Sequence, residues 1–544
     1  MLQQQEQQDA VLEDAELLFV DEDFPADRSM LTLDAPPDAE WRRPHELCDE
    51  PQLFVDGACR YDVVQGALGN CWSMAVCAAM AERPELVRRV VPDGQILHGP
   101  GYSGCIVIRL WHMNHWRDVE IDDRLPVQHD EPLYGRSSCK NEFWMSLVEK
   151  AFAKFHGGYE NLNSGQLTEG FINLTGYSVR SIEFSEEEFK DGSKSKNEFF
   201  KHLRKEIDNR ALIACARAGE FERGLPGFHG YTVTGAHHVR RVRQRLVRVR
   251  NPWGDDEWTG KWRDDHDIWK ELGADVLEEL DYKVHVDGEF WMKFSDFLKM
   301  FQEVCIGSRQ PSIHEDKYLP ATEEKVIREF WTEDTAGGPF GTDSFYCNPQ
   351  ILLDVVALRT EAASPEVDSA DDDADAEAAE AGAGRPGRCT EDARCAKAGV
   401  PVLVELLQDH NRRLSKDLLT IDFRVFKVVG EAAVAAVDAG ERLSRLQLQE
   451  ECEQEAQTGS EEACSAAHAF CHLQHCARYV VVPHTGEPGE RRRFLLRVFA
   501  RNVHLHLRLL QVQAQGQDQD QDQDQDQEQD QDQGQIQAQE QTQL

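Results

Sequence analysis

The chain has 544 residues and carries 99 acidic side chains against 59 basic ones, which gives a formal charge of −40 at pH 7. This charge disfavours nonspecific binding to nucleic acid, and at roughly 150 residues per domain the length excludes a single core. The 15 scattered cysteines, the lack of any apolar run near ~20 residues and the lack of a signal-peptide pattern predict a cytoplasmic protein with free thiols.

The first half of the chain divides into three predicted segments. Residues 1–16 are rich in Gln and acid and are predicted to be disordered. Residues 17–165 form a mostly helical unit, with one helix from Cys71 to Met80 and a second from Asn141 to Phe155, where apolar side chains recur near a period of 3.6.

Residues 166–310 are richer in strands. Between Tyr231 and Asn251, two segments alternate at period two around a long connection, which predicts an antiparallel pair. If the pair turns around residue 240, positions that sum to 480 face each other. His229 and Asn251 would then lie side by side at the open end of the hairpin.

Residues 311–505 contain several short strand-like runs, and their spacing predicts a β-sandwich. Two stretches are interpreted as insertions: an acidic, Ala-rich one at 368–384 and a helical one from Glu431 to Cys476. Residues 506–544 repeat Gln and Asp, offer nothing to bury, and are predicted to be a solvated tail.

Cys71 lies between a Gly-containing turn and the start of a predicted helix. Amide N–H groups and the helix dipole at that place favour thiolate over thiol, as a nucleophilic cysteine requires. Gln65 can supply a side-chain amide to a developing oxyanion, and Asn251 can orient His229 as the base. Trp253 can shield the hydrogen bond between these two side chains from water.

These segments resemble the calpain family of calcium-dependent cysteine proteases. The sequence QGALGNCW at 65–72 resembles the family's nucleophile motif, HGYTVTGA at 229–236 its histidine strand, and RVRNPWGDDEWTG at 248–260 its asparagine strand. Further likenesses cover roughly 17–502. The resemblance implies an α+β fold, namely a papain-like protease core of two subdomains followed by a C2-like antiparallel β-sandwich.

Three residues depart from the family's pattern. Asn70 stands where the family usually has Asp, Phe228 precedes the histidine where Gly is usual, and Gly230 follows it where Ala is usual. None of these changes removes a reacting group, so they bear on the efficiency of the site more than on its identity.

The resemblance also implies calcium as a cofactor, bound at two sites in the core. Clustered carboxylates and turn carbonyls supply the oxygen ligands that calcium prefers. The first site would use the carbonyl groups of Val55 and Gly57 with the carboxylates of Asp62 and Glu160. The second would use four carboxylates and one carbonyl, from Glu257, Asp264, Asp287, Glu289 and His285 respectively.

Other metal and partner motifs are weaker. The pattern that begins at Asp371 lacks the Gly and Glu of an EF-hand loop, so the small regulatory subunit of conventional family members is not expected as a partner. A zinc site is conceivable at 464–476, where cysteines and histidines recur at helical spacing. They are Cys464, His468, Cys471, His472, His475 and Cys476.

The predicted function is calcium-activated, limited cleavage of cytosolic protein substrates through a thioester at Cys71. One alternative is a catalytically weak, calcium-responsive protein that binds phospholipid or cytoskeletal partners through the C2-like domain. Another is a transglutaminase-like transferase, which Asn251 disfavours because an acid normally completes that site. The sequence does not fix the substrates, the calcium requirement, the oligomeric state or the role of the tail.

Overall fold

The computed structural model describes eight stretches of the chain: 18–190, 194–314, 318–357, 399–410, 412, 418–458, 464–475 and 477–511. The predicted disordered segment, the acidic insertion and residues 512–544 of the predicted tail lie outside these residues, whereas residues 506–509 of that tail belong to the strand Val503–Leu509. The described chain contains helices and sheets in a mixed α+β arrangement, as the sequence predicted.

The first part of the chain is built around a helical core. Its short strands pair in two small sheets, of which one joins β1, β4 and β5 and the other is the hairpin of β2 and β3. The elements are β1 (Glu40–Arg42), α1 (Pro44–Leu47), α2 (Cys71–Ala81), α3 (Pro84–Val90), β2 (Cys105–His112), β3 (His115–Asp122), β4 (Leu125–Gln128), β5 (Glu131–Pro132), α4 (Trp144–His156) and α5 (Leu167–Thr175), with 3-10 turns at Arg28–Met30, Arg60–Asp62 and Tyr159–Leu162.

Helix α2 is buried on nearly all its faces, because small and apolar side chains follow one another from Trp72 to Ala81. A helix that is apolar all round belongs in the interior. Its first residue, Cys71, is therefore fixed by the packing of the whole helix. Helix α5 packs beside it, so the helical core extends through Thr175.

The second part is a six-stranded antiparallel sheet with the order β10-β9-β8-β7-β11-β6. A second apolar core lies on this sheet. The elements are β6 (Ser178–Glu183), α6 (Glu186–Lys190), α7 (Lys196–Asp208), β7 (Leu212–Arg217), β8 (His229–Val239), β9 (Gln244–Arg250), α8 (Ala274–Glu279), β10 (Glu289–Lys293), α9 (Phe294–Met300) and β11 (Glu303–Ser308), with 3-10 turns at Arg240–Val242 and Asp267–Glu271.

The third part is a β-sandwich of a four-stranded sheet (β12-β19-β14-β17) and a five-stranded sheet (β16-β15-β18-β13-β20). Alternating apolar side chains fill the space between the sheets. The elements are β12 (Glu323–Trp331), β13 (Ile351–Ala357), β14 (Val400–Gln408), β15 (Ile421–Val428), α10 (Glu431–Ala439), α11 (Arg445–Glu450), β16 (Cys452–Gln457), β17 (Ala466–Leu473), β18 (Arg478–Thr485), β19 (Arg492–Ala500) and β20 (Val503–Leu509), with a 3-10 turn at Phe345–Cys347.

The predicted hairpin exists, but its register differs from the prediction. Thr232 faces Arg250 rather than Arg248, and a bulge between Val233 and Gly235 shifts the pairing by one more residue. The cause is the turn, which is centred between Arg241 and Val242 rather than at residue 240, and the bulge takes back one residue of the shift towards the open end. If the pairing continues to Asn251, the residue opposite it is Tyr231, and His229 lies two residues before Tyr231 in the chain.

The helical interpretation of 431–476 is only partly correct. Helices occupy its first part, but Ala466–Leu473 is strand β17, paired with β14 along its whole length. Every second residue, such as Ala469 and Cys471, is buried in the sandwich. Among the described residues, no helix combines the length and hydrophobicity needed to cross a bilayer.

Candidate active site

Cys71 is the first residue of helix α2, where the N–H groups of the first turn have no partner within the helix. The amides of Gly230, Trp72 and Cys71 itself all favour the thiolate. Burial nevertheless outweighs these amides and raises the pKa of Cys71 above its usual range. The amides at the helix start therefore act in the predicted direction, and burial of the thiol acts against them.

His229 and Asn251 are joined by a hydrogen bond. Nε2 of His229 lies 2.8 Å from Oδ1 of Asn251. The Asn251 amide donates to the carbonyl oxygens of Asp255 and Asp256, at 2.9 and 3.1 Å, which fixes which end of the carboxamide meets the imidazole. Because Nε2 is engaged with Asn251, Nδ1 is the ring nitrogen that remains for a thiol.

The imidazole is shielded from water on one face. The Trp253 ring lies 4.6 Å from the His229 ring, centroid to centroid, as the sequence suggested. Burial lowers the pKa of His229 to about 4, although its hydrogen bond with Asn251 acts in the opposite direction. The imidazole is therefore neutral at pH 7, the state that a general base needs.

The helical part and the sheet part meet at this site. The backbone N–H of Gln65 donates to the carbonyl of Pro252 at 2.8 Å, and Thr232 donates to the carbonyl of Ala75 at 2.7 Å. Gly230 packs so closely on Cys71 that an added Cβ would lie 3.2 Å from the Cys71 carbonyl oxygen. These contacts bring the nucleophile and the base strand together.

The Gln65 side chain is buried, and its Nε2 donates to the carbonyl of Leu68 at 2.6 Å. A primary amide carries two N–H groups, so one remains to meet an oxyanion. Its Oε1 has no partner. Gln65 thus lies in the loop that precedes Cys71, with one donor of its side chain already engaged.

The loop before Cys71 is supported from behind by residues 161–165. The N–H of Gly69 donates to Oδ1 of Asn163 at 3.0 Å, and the N–H of Ser164 donates to the carbonyl of Gly69 at 2.9 Å. The Trp72 indole donates to the carbonyl of Leu162 at 3.0 Å. These contacts fix the loop that precedes the nucleophile.

The β-sandwich reaches these residues through one arginine, which sequence reasoning missed. The Arg412 guanidinium lies 4.9 Å from the Trp72 ring centroid and donates to the carbonyls of Asn161 and Ser164. It also donates to the buried carboxylate of Glu169 at 2.6 Å. No local pattern could reveal this contact, because it joins residues 340 positions apart.

The structure explains why position 70 carries Asn rather than Asp. Its amide donates to the fully buried carboxylate of Glu149 at 2.8 Å. Burial raises the pKa of Glu149 to about 7. An Asp at position 70 would place a second acid against this carboxyl, whereas the amide supplies a donor.

The second predicted calcium set lies beside the loop that holds Asn251. Glu257 accepts hydrogen bonds from the N–H groups of Asp287 and Gly288, and the carbonyl of Gly288 accepts from the N–H of Asn251. Burial together with the charges of Glu257 and Asp287 raises the pKa of Asp264 to about 8. Carboxylate oxygens are the ligands that a hard cation such as calcium prefers, but among the described residues these side chains are not gathered into a metal-binding group.

The other members of that set are placed differently. The carboxylate of Glu289 pairs with Arg60 at 2.8 Å and accepts from Tyr61 and Thr234. The backbone of His285 donates a hydrogen bond that favours the Asp264 carboxylate. Glu289 thus ties the sheet part to the helical part.

The first predicted calcium set is not gathered in the same way. Asp62 accepts from the N–H and the thiol of Cys59, and Glu160 accepts from the N–H of Leu33 at 2.9 Å. The N–H of Val55 donates to Glu142, and Gly57 lies in the same loop with a positive φ of 87°. Across the described part of the chain, no group of three or more His, Cys, Asp or Glu side chains is arranged to hold a metal ion.

The zinc hypothesis at 464–476 is not supported by the structure. It assumed a helix, but His468 and Cys471 lie on opposite faces of strand β17. Side chains that alternate across a sheet cannot converge on one ion. Cys476 lies outside the described residues. Apart from Cys464, the cysteines that the structure describes have free thiols.

Comparison with known proteins gives a consistent result. Residues 19–308 match the family model described as "Calpain family cysteine protease", and residues 327–499 match "Calpain large subunit, domain III". The chain is 34% identical to human calpain-12 over 521 residues, which are 90% of this chain and 68% of the relative. It is 33% identical to the bovine calpain-2 catalytic subunit over 478 residues, 85% of this chain and 61% of the relative. It thus spans about two thirds of the length of these relatives.

Proposed function

The chain belongs to the calpain family of cysteine proteases, and from that premise we propose that it is a calcium-activated endopeptidase that makes limited cuts in cytosolic proteins. The observation that carries the proposal is the 2.8 Å hydrogen bond between His229 and Asn251. This bond orients the imidazole of His229. The strand that carries His229 packs against Cys71, at the start of a buried helix. A sulfur nucleophile, a base and an orienting amide are the parts of papain-like catalysis.

The proposed reaction begins with transfer of the Cys71 proton to Nδ1 of His229. The thiolate sulfur attacks the scissile carbonyl carbon, and the oxyanion accepts from the Cys71 N–H and the free donor of Gln65. His229 then returns its proton to the leaving amine. Water hydrolyses the thioester with His229 as base, which restores the thiol.

The raised pKa of Cys71 and the lowered pKa of His229 describe a neutral pair in the resting state. Because neither group is charged beforehand, transfer of the proton from Cys71 to His229 is the step that generates the nucleophile. Asn251 holds the imidazole in one orientation throughout, because both ends of its carboxamide are engaged.

Glu257, Asp264, Asp287, Glu289 and the carbonyl of His285 would hold calcium in the sheet part, and Val55, Gly57, Asp62 and Glu160 in the helical part. Bound calcium would supply positive charge that offsets the repulsion among the carboxylates. Gly288 and Asp255 form hydrogen bonds with Asn251, so a change in the conformation of these acidic loops would alter the orientation of His229.

The remaining parts of the proposal concern location and partners. Free cysteines suit a reducing cytoplasm. Exposed segments of other proteins are the proposed substrates, and the β-sandwich, which we interpret as C2-like, is proposed to contact phospholipid.

The decisive experiment measures cleavage of a casein-type protein by the purified chain, with calcium and with chelator, beside the Cys71→Ser variant. We expect cleavage only by the unmodified chain with calcium. Cleavage that persists with chelator would contradict calcium activation and would still support protease activity. Cleavage by both proteins, or by neither, would contradict the proposal.

A further inference from the structure

The segment 64–71 carries both groups that are proposed to donate to the oxyanion. They are the side-chain amide of Gln65, near the start of the segment, and the backbone N–H of Cys71, at its end. A misplacement of about 1 Å at a reacting group can cost about 10²-fold in rate. The contacts that fix this segment therefore bear directly on stabilisation of the oxyanion.

The start of the segment is paired with residues 133–136. Val64 and Arg136 exchange two backbone hydrogen bonds, at 3.0 and 2.9 Å. Gly66 lies so close to this neighbour that an added Cβ would be 2.1 Å from the carbonyl oxygen of Tyr134. A shift of residues 133–136 would therefore displace the residues on both sides of the amide donor.

A single buried carboxylate, that of Glu149 in helix α4, holds both segments. Its Oε1 accepts from the amide of Asn70 at 2.8 Å, and its Oε2 accepts from the N–H of Gly135 at 2.7 Å. Asn70 directly precedes Cys71, and its carbonyl accepts hydrogen bonds from the first turn of helix α2. Glu149 therefore fixes the end of segment 64–71 directly and its start through residues 133–136.

Glu149 is an unfavourable residue to bury. It is 3% exposed, and its hydrogen bonds come from an amide and a backbone N–H rather than from a cation. An apolar side chain of similar size, such as methionine, would fill the same space in helix α4 without the cost of burying an acid. Because both hydrogen bonds end beside the oxyanion donors, the site of reaction offers a reason for the carboxylate.

We propose that Glu149 is a positioning residue of the cleavage reaction, whose carboxylate holds both oxyanion donors in place by fixing the two segments that carry or support them. This inference rests on the proposed function. The donors act on charge that develops in the tetrahedral intermediate, and binding of the uncleaved substrate does not use them. Loss of the carboxylate should therefore lower kcat and leave KM nearly unchanged.

The test compares three variants on a casein-type peptide. Glu149→Met removes both contacts at nearly constant volume, and Asn70→Ala removes only the contact beside the nucleophile. We expect kcat to fall by about 30-fold and about tenfold respectively, with KM within about twofold. Glu149→Gln should keep kcat within about threefold, because its oxygen can accept from Gly135 and its amide can donate to Oδ1 of Asn70, which has no partner among the described residues.

A peptide aldehyde and iodoacetamide separate positioning of the donors from a general loosening. The Cys71 sulfur adds to the aldehyde carbon, the carbonyl double bond opens, and the thiol proton ends on the oxygen, which occupies the place of the oxyanion. The inhibition constant should rise in Asn70→Ala and Glu149→Met by about the factor by which kcat/KM falls. Alkylation by iodoacetamide releases iodide and forms no oxyanion, so its rate should stay within about twofold.

The matched control is Asn173→Ala. Asn173 is also a buried asparagine of the helical part, 6% exposed, but its amide donates to the carbonyl of Trp111 at 3.2 Å and not to either segment. Its kcat and aldehyde affinity should stay within about twofold of the unmodified chain. Equal losses in Asn173→Ala and Asn70→Ala overturn the inference, as does alkylation that slows as much as cleavage. If Glu149→Met does not fold, the two asparagine variants decide.

Failure of the proposed function would look different, since the unmodified chain would then cleave no peptide at all. In that case, calorimetry with the peptide aldehyde decides the inference by itself. Binding to the unmodified chain and to Glu149→Gln that is about tenfold tighter than to Asn70→Ala supports it. Equal binding in the three proteins, or binding in none, overturns it.

Discussion

The nucleophile and its base are supported in different ways. The loop that precedes Cys71 is supported by residues 161–165, by the buried Trp72 ring and by Arg412 of the sandwich. His229 instead forms its side-chain hydrogen bond with Asn251, whose amide is bound to the backbone of an acidic loop. Buried pairs of fixed charge do not respond to ions in solution, whereas repelling carboxylates do. Control by a cation is therefore expected to act on the base and leave the nucleophile in place.

The comparison predicts that the base side is the more sensitive to a single truncation. Asn251→Ala removes the hydrogen bond to His229 and both anchors to the acidic loop, so the imidazole is free to turn away. We expect kcat/KM for a casein-type peptide to fall by about 10²- to 10³-fold. The measurement is steady-state kinetics, with folding checked by circular dichroism.

Asn251→Asp serves as its matched control. It keeps the acceptor oxygen for His229 and loses the two donated bonds to Asp255 and Asp256. Activity between those of Asn251→Ala and the unmodified chain is expected. Equal activity in all three proteins would show that the base needs no orienting group.

On the nucleophile side, Arg412→Met removes the guanidinium that lies between Trp72 and Glu169. A buried carboxylate left without its arginine costs about 3 kcal/mol, so the thermal midpoint should fall by several degrees. The kcat value should fall by about tenfold with little change in KM, because the loop before Cys71 loosens and the cleft does not. Differential scanning calorimetry and kinetics measure the two effects.

Arg445→Met provides the control within the same sandwich. Arg445 pairs with Asp343, but both side chains are exposed, at 52% and 91%. Exposed pairs contribute little, so its midpoint should stay within about a degree of the unmodified chain. An equal fall of the midpoint in both variants would mean that a general weakening of the β-sandwich, and not loss of the contact between Arg412 and Trp72, explains the result.

The two sides differ in how well the sequence predicted them. Helix α2 and the strands around His229 and Asn251 were correctly predicted, because local periodicity determines them. The hairpin register was wrong by two residues at the open end, since the alternation does not show that the turn is centred between Arg241 and Val242, and the bulge near Thr234 offsets only part of that shift. Strand β17 was interpreted as a helix because Cys and His recur every three or four residues, although its apolar residues also alternate. Arg412 was invisible because tertiary packing alone brings it to Trp72.

The buried residues near Trp72 and Arg412 should lose stability in acid, although they should not respond to calcium. Burial lowers the pKa of His156, in helix α4, to about 3, with Glu169 opposing and Arg412 reinforcing the shift. The unfolded chain takes up this proton near pH 6.5, so it binds more protons than the folded chain at lower pH. His156 therefore stabilises fully above pH 6.5 and loses its contribution as the pH falls towards 3.

The check is the thermal midpoint of the unmodified chain and of His156→Phe between pH 7 and pH 5. Over this interval, His156 accounts for a loss of about 2 kcal/mol. The variant's midpoint should fall less steeply with acid than that of the unmodified chain. Parallel curves would mean that His156 is protonated in the folded chain. The difference between the two curves isolates His156, because groups with raised pKa values such as Glu149, at about 7, are present in both proteins.

The smallest expected effect tests whether a cation acts on the part of the site that holds His229. Asp264→Asn removes one of the repelling carboxylates, so calcium affinity measured by calorimetry should fall by about tenfold, which is about 1.4 kcal/mol. Asp265→Asn is the matched control, because its side chain is 71% exposed and pairs with Arg263. If both variants bind calcium as the unmodified chain does, the acidic loop is not the site, and control of His229 through Asn251 has to come from elsewhere. A loss in Asp264→Asn alone, with the calcium needed for half-maximal cleavage raised in proportion, ties cation binding to the orientation of the base.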